Sequence, residues 1–283
     1  MIIEAKDSLT SFLTGSCIIL IAILANIGGP FAFVFNNFFY IAIALYVVVF
    51  GIWLSVNFKG PRFQNAIRGG FLGLVFGIGL MLSVSGWVVM PLGWYIAMLA
   101  FFHWSEYFVT ALTNPSHIVL DSYLLNHSTA YQVAAVASWI EYTIELLVFP
   151  EMKKVLWLSA IGLLIVMFGE ALRKIAMCTA RSNFNHYVQH VKEEGHILVT
   201  HGVYRFFRHP AYVGWFWWSV GTQIILVNPI CFIAYTAASW KFFQGRVVAE
   251  EITLLNFFGE QYLDYQKRVG TGLPFIKGYR GEL

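Results

Sequence analysis

Apolar runs cut by short turn signals recur along the whole chain. A bilayer's hydrocarbon core, about 30 Å thick, takes about 20 apolar residues as a helix, with a floor near 17. The pattern predicts eight spans of that order. The first two, 9–27 and 31–56, flank "GGP" and form a helical hairpin. The third and fourth, 69–89 and 92–112, hinge at "MPLG", where Pro91 has no amide donor and cannot continue a helix. The fifth and sixth cover 129–149 and 155 to about 171, and the seventh and eighth, both short, meet at Asn228-Pro229. The predicted fold class is all-α: a polytopic integral membrane protein of about eight transmembrane helices in one domain, 1–283. Within it 1–66 is an N-terminal hairpin, 67–172 carries the middle spans, and 173–283 holds most of the polar residues.

Composition agrees. Of the 283 residues 58% are hydrophobic and 12% charged, roughly half the charge of an ordinary soluble domain. The first run is too long for the core of a cleavable signal, and no small-residue cleavage site follows it, so it reads as a permanent span. Cys17, Cys178 and Cys231 are scattered and form no disulfide or CxxC framework. Basic residues concentrate on cytoplasmic loops. With eight spans, only Lys153 and Lys154 of the 18 lysines and arginines fall on one side. Both termini and the polar segments 173–210 and 246–283 are therefore expected in the cytosol. The absence of an internal repeat weakens a transporter reading. The glycines of "GGFLGLVFGIGL" lack a strand or a GxGxxG frame, and suit close helix packing better than a nucleotide loop. No nucleic-acid partner is expected.

The chemistry gathers near the C-terminal end. In "HGVYRFFRHPAYVGWFWW", residues 201–218, arginines and histidines run directly into a tryptophan-rich apolar segment. Pro210 biases His209 away from helical backbone, so a helix opens here with its first amides unsatisfied and ready for a ligand. The simpler alternative is a proline helix start with basic anchors. Five of the eight histidines lie between His186 and His209, with His186 and His190 four apart. The glutamate of HExxH and any neighbouring cysteine are missing, so no metal is expected. In "RVVAEEITLL" Arg246 and Glu250 share a helix face; they either pair with each other or are put to use. Leu254, Phe257, Phe258, Tyr262 and Tyr265 read as packing. Glu170 and Arg173 form another pair at helical spacing, and Glu106, Glu141 and Glu145 need partners in apolar surroundings.

"HILVTHGVYRFFRHPAYVGW" followed by "EEITLLNFFGEQYLDYQKRVGTGLPFI" resembles the C-terminal signature of the isoprenylcysteine carboxyl methyltransferases, membrane enzymes that use S-adenosyl-L-methionine. "FFHWSEYFVTALTNP", "LDSYLLNHS" and "FGEALRKIAM" extend the likeness over roughly 94–283 and resemble the eukaryotic branch. The resemblance implies methyl transfer to the terminal carboxylate of prenylated CaaX proteins, by direct displacement without a general base. It makes 173–283 the catalytic and cofactor-binding region, with a pocket facing the cytosol. It places the cofactor against Gln189, His196, Ile197, Leu198, Val199, Tyr204, His209, Pro210, Ala211, Tyr212 and Glu250 or Glu251. Arg246 then holds the substrate carboxylate, with Arg173 as helper, and Trp215, Phe216, Trp217 and Trp218 line or flank a lipid-side entrance for the prenyl group. Endoplasmic reticulum residence rests on the resemblance alone, because "RGEL" is not a KDEL-type address. A sterol-reductase-like enzyme, a transporter and a lipid-binding scaffold are the rival readings.

Overall fold

A computed structural model describes residues 1–27, 29–126 and 128–279; Gly28 of the "GGP" turn and the terminal "RGEL" lie outside them. Every regular element among the described residues is a helix. Among the described residues four stretches are long and apolar enough to cross a bilayer: Ile3–Asn26, Phe39–Asn57, Gly60–Val84 and Leu156–Asn183. The chain divides into two compact units, residues 1–112 with 118–127, and 113–117 with 128–283.

The first unit contains α1 (Ile3–Ser16), α2 (Ile19–Asn26), α3 (Gly29–Asn37), α4 (Phe39–Asn57), α5 (Gly60–Val84) and nearly all of α6 (Met90–Thr113). The expected second span is two helices, because Phe38 leaves helical backbone at φ −117°, ψ 24°. The expected hinge at "MPLG" lies earlier: α5 ends at Val84, and Pro91 sits in the first turn of α6, where a missing amide costs nothing. The glycines of α5 are packing sites. A Cβ at Gly73 would stand 2.1 Å from the Phe12 carbonyl oxygen, so α1 and α5 touch backbone to backbone. Phe12 stacks on Trp104 with ring centroids 4.1 Å apart, and Tyr107 on Tyr123 at 4.0 Å. Buried Asp7 receives Nε and Nη2 of Arg62 at 2.7 and 2.9 Å. Glu106 is buried in this unit as well. The outer side of α4, with Tyr40, Ile41, Leu45, Val48 and Ile52, is exposed. An apolar exterior of that size suits lipid, not water.

The second unit contains α7 (Thr129–Val148), α8 (Leu156–Ala180), α9 (Pro210–Leu226), α10 (Pro229–Phe258) and α11 (Glu260–Arg268). Gly162 and Gly169 of α8 meet α9 at Ile225 and Gly214, where a Cβ would come within 2.4 to 2.5 Å of backbone. Their spacing of two helical turns puts both on one face. Asn228-Pro229 stops α9 and opens α10. The exposed ends of that break are answered from α7 and the loop after it: Lys153 donates to the carbonyls of Leu226 and Val227 at 2.8 and 2.9 Å, and to Glu145 at 2.6 Å. Glu141 accepts from the Ile230 and Cys231 amides at 2.7 and 2.6 Å. A cation thus closes a helix C-terminus and an anion a helix N-terminus, as the helix dipole favours. These contacts supply the partners that Glu141 and Glu145 needed.

Candidate active site

The irregular segment 184–200 is held against the second unit by side-chain amides. Asn183 Oδ1 accepts from the Ile197 amide at 2.8 Å, and Asn114 donates to the Phe184 carbonyl at 3.0 Å. Arg181, at φ +51°, breaks α8 just before this segment. His209 precedes α9 in non-helical backbone, as the following proline requires.

These pieces enclose a cleft of about 660 Å3, open solvent at its mouth included. Its wall carries His196, Ile197, Leu198, Val199, Tyr204, His209, Pro210, Ala211, Tyr212 and Glu250. Residues spread over 55 positions of sequence are thereby brought to one space. Four other candidates lie off the wall. Gln189 is half-buried and donates to the Tyr187 carbonyl at 3.4 Å. Glu251 lies behind His209, wholly buried. Arg246 donates from Nε to the Tyr212 hydroxyl at 3.1 Å and from Nη2 to the His186 carbonyl. Arg173 is buried, donates to the Ala211 carbonyl at 3.2 Å, and lies 4.7 Å from the Trp215 ring centroid. Glu170 pairs with Lys174 at 3.3 Å.

His209 sits between two carboxylates: Nε2 is 3.1 Å from Glu251 Oε1 and Nδ1 3.7 Å from Glu250 Oε2. Burial by itself would push the imidazole down, but bonding to and charge from both glutamates outweigh it and raise the pKa to about 9. Conversely, burial would raise Glu250, and His209, Tyr212 and Arg246 overcome it to hold the carboxyl below its usual range. The site is therefore charged at neutral pH. Among the described residues two buried polar atoms of wall residues nevertheless accept or donate no hydrogen bond: Glu250 Oε2, which has only the longer contact to His209, and His196 Nδ1. Buried polar atoms left unpaired are costly, so a ligand with polar groups fits here.

Several wall residues carried no sequence signal. Leu254, Tyr262 and Tyr265, expected to be packing only, also line the cleft. The Tyr265 hydroxyl donates to the Tyr204 carbonyl. Their helix periodicity marks an apolar face but cannot say that the face borders a cavity. Arg208 lines it too and pairs with Glu251 at 2.8 Å. Segment 186–200 is not helical, so the four-residue spacing of His186 and His190 places them on no common helix face. Among the described residues no group of three or more histidines, cysteines, aspartates or glutamates is placed to hold a metal ion. Phe216 and Trp218 are buried in the unit's interior, Trp218 against Gly169 of α8 and Phe216 in a cluster that includes Phe243 and Val247 of α10, and so do not face lipid.

Comparison with known proteins matches these observations. The pattern of the isoprenylcysteine carboxyl methyltransferase (ICMT) family fits residues 160–256, from the second turn of α8 to the last turn of α10. The protein-S-isoprenylcysteine O-methyltransferase of Mus musculus is 52% identical over 99% of this chain and 96% of its own length. That of Xenopus laevis is 49% identical over 99% and 97%. A solved structure of a eukaryotic intramembrane Ras methyltransferase superposes with a TM-score of 0.90 and 46% identity, covering 99% of this chain and all of the other. With whole-length identity this high, and the family's pattern falling on the helices that build the cleft, the chain belongs to the isoprenylcysteine carboxyl methyltransferase family.

Proposed function

We propose that the chain binds S-adenosyl-L-methionine in the cleft at the start of α9 and transfers its methyl group to the C-terminal carboxylate of prenylated CaaX proteins. Family membership makes it a methyltransferase of isoprenylcysteine carboxyl groups. One observation carries the cofactor assignment: Glu250 and His196 line the same cleft, and Glu250 Oε2 and His196 Nδ1 have no hydrogen bond. Glu250 is an acceptor suited to the ammonium or ribose hydroxyls, and His196 to a polar atom of the ribose or purine. Leu198, Val199 and Ala211 give apolar walls for the purine.

When bound, S-adenosyl-L-methionine supplies an electrophilic methyl group on sulfonium sulfur. The accepting carboxylate, with an ordinary pKa of roughly 3.5, is already ionised at neutral pH, so the chain needs no general base. Its task is to orient and desolvate. Arg246, held by Tyr212 and His186, presents a planar donor pair to that carboxylate. Arg173 fixes the Ala211 carbonyl from behind.

His209→Ala and Glu250→Ala are expected to weaken S-adenosylhomocysteine binding, measured calorimetrically, by about tenfold to a hundredfold, the range of lost charged hydrogen bonds. His209 has a raised pKa, so its ion pairs are complete below the ordinary histidine value of about 6.5 and are lost as pH rises through about 9. Wild-type binding is therefore flat from pH 6 to 8 and declines above 9. Normal affinity in both variants would remove the cofactor from this cleft.

The eight-span reading puts both termini and the cleft on the cytosolic side of the endoplasmic reticulum membrane, with the loop after α7 opposite. Lys153 in that loop is buried among helix ends, whereas Glu151 is 81% exposed. A glycosylation acceptor inserted at Glu151 is expected to be modified in microsomes, and one appended after Leu283 is not. Modification of the C-terminal acceptor would overturn the orientation.

A further inference from the structure

Five donors converge on the buried carboxylate of Glu251. Oε1 accepts from Arg208 Nε at 2.8 Å, His209 Nε2 at 3.1 Å and the Tyr262 hydroxyl at 3.1 Å. Oε2 accepts from Gln266 Nε2 at 3.1 Å and from the Tyr279 amide at 2.6 Å. Arg208 gives its other nitrogens to the carbonyls of Val269, Gln266 and Lys277. The tail from 269 to 279 is thus fastened at both ends by one ion pair. Between those ends the Arg208 amide donates to the Gly270 carbonyl at 2.8 Å, the His209 amide to Thr271 at 3.3 Å, and Trp240 Nε1 to Pro274 at 2.7 Å. The fit is close. Gly278 has φ +83°, and a Cβ there would stand 2.1 Å from Glu251 Oε2 and 2.8 Å from Arg208 Nη2.

No tail residue lines the cofactor cleft. The tail nevertheless bonds the backbone of two wall residues, Arg208 and His209, and it reaches the imidazole of His209, which faces Glu250, through Glu251. The Arg208 and His209 amides bond the tail backbone directly; Glu251 adds a side-chain link, in which the tail amide of Tyr279 and the His209 imidazole share one carboxylate.

We propose that the C-terminal tail, residues 269–279, is a strap that positions His209 through Glu251, so that its docking sets the affinity of the cleft for the cofactor. The inference rests on the cleft being the S-adenosyl-L-methionine site. Glu251 is in this view a positioning residue and not itself a cofactor contact. The charged and titratable groups around His209 are Glu250 and Glu251 from α10, Arg208 from its own segment, Tyr212 from α9 and, through Glu251, Tyr262 from α11. Removing the Glu251 charge leaves His209 with Glu250 as its one anion and with Arg208 unbalanced beside it. The imidazolium then loses its proton at lower pH, and Glu250 loses its partner.

The test is calorimetric binding of S-adenosylhomocysteine to the full chain in detergent at pH 6.5, 7.5 and 8.5. Wild type and Lys267→Ala, an exposed change beside the strap, are expected to bind alike and with little pH dependence. Gly278→Ala is expected to bind at least tenfold more weakly. Glu251→Gln is expected to bind progressively more weakly as pH rises over this window, and Glu251→Asp to restore part of the wild-type profile. Wild-type affinity in both Gly278→Ala and Glu251→Gln would overturn the proposal. So would an equal loss at every pH accompanied by a lowered melting temperature, which would make the strap a stability element only. Failure of the wild type to bind would instead remove the cofactor reading, and this inference with it.

Discussion

Arg246→Ala is expected to lower methyl transfer on the order of a hundredfold while leaving S-adenosylhomocysteine affinity within a few fold. The guanidinium is fixed from two sides, by the Tyr212 hydroxyl at 3.1 Å and the His186 carbonyl, and lies off the cleft wall. Its role is therefore assigned to the acceptor carboxylate. A displacement at carbon depends on alignment, and an ångström of misplacement is worth about two orders of magnitude. Arg246→Lys keeps the charge but not the planar pair of donors, so only part of the activity is expected to return. Single-turnover transfer and calorimetric binding on the same preparations separate the two effects. Near-normal turnover in Arg246→Ala, or a loss confined to cofactor affinity, would move the carboxylate elsewhere.

The second large effect is expected on the substrate side. A prenylated cysteine should be methylated orders of magnitude more efficiently than the same cysteine bearing a short alkyl thioether, with both soluble in detergent and compared by kcat/KM. At about 0.8 kcal/mol per buried CH2, moving the roughly fifteen carbons of a farnesyl chain into water costs on the order of 10 kcal/mol. An enzyme whose site borders the bilayer avoids that transfer by letting the chain stay in apolar surroundings. The approach has a candidate surface. Phe242 is exposed, lies one helical turn before Arg246 on α10, and meets Trp215 of α9 with ring centroids 6.2 Å apart. A prenyl chain lying along these rings would bring its carboxylate to the arginine. Of the four aromatics after the "HPAY" motif, Trp215 meets Phe242 of α10, while Phe216 and Trp218 belong to the interior. Equal efficiency for the two thioethers would leave a broader membrane methyltransferase.

The break at Asn228-Pro229 and the start of α9 at Pro210 were legible in the chain, because proline restricts its own backbone and that of the residue before it whatever the surroundings. The hinge placed at Pro91 fell several residues early, at the end of α5, since the same missing amide is harmless in a helix's first turn. Glu141 and Glu145 had no reading in one dimension. Glu141 bonds the first amides of α10, 89 and 90 residues away, and Glu145 bonds Lys153, which itself caps the end of α9; a sequence does not say which helix ends meet.

By itself, then, the sequence determined a helical membrane protein and the segments in which polar chemistry interrupts apolar helices, because hydropathy, proline geometry and helical spacing act within a few residues. It also carried the family's C-terminal motifs, and with them the activity. Only the tertiary structure decided which of two adjacent glutamates borders the cleft. Glu250 and Glu251 are neighbours on α10, about 100° apart around its axis. One lines the cleft, and the other is enclosed by Arg208, His209, Tyr262, Gln266 and the tail. That distinction depends on which elements pack against each side of the helix, and the strap that encloses Glu251 comes from residues almost thirty positions further along the chain.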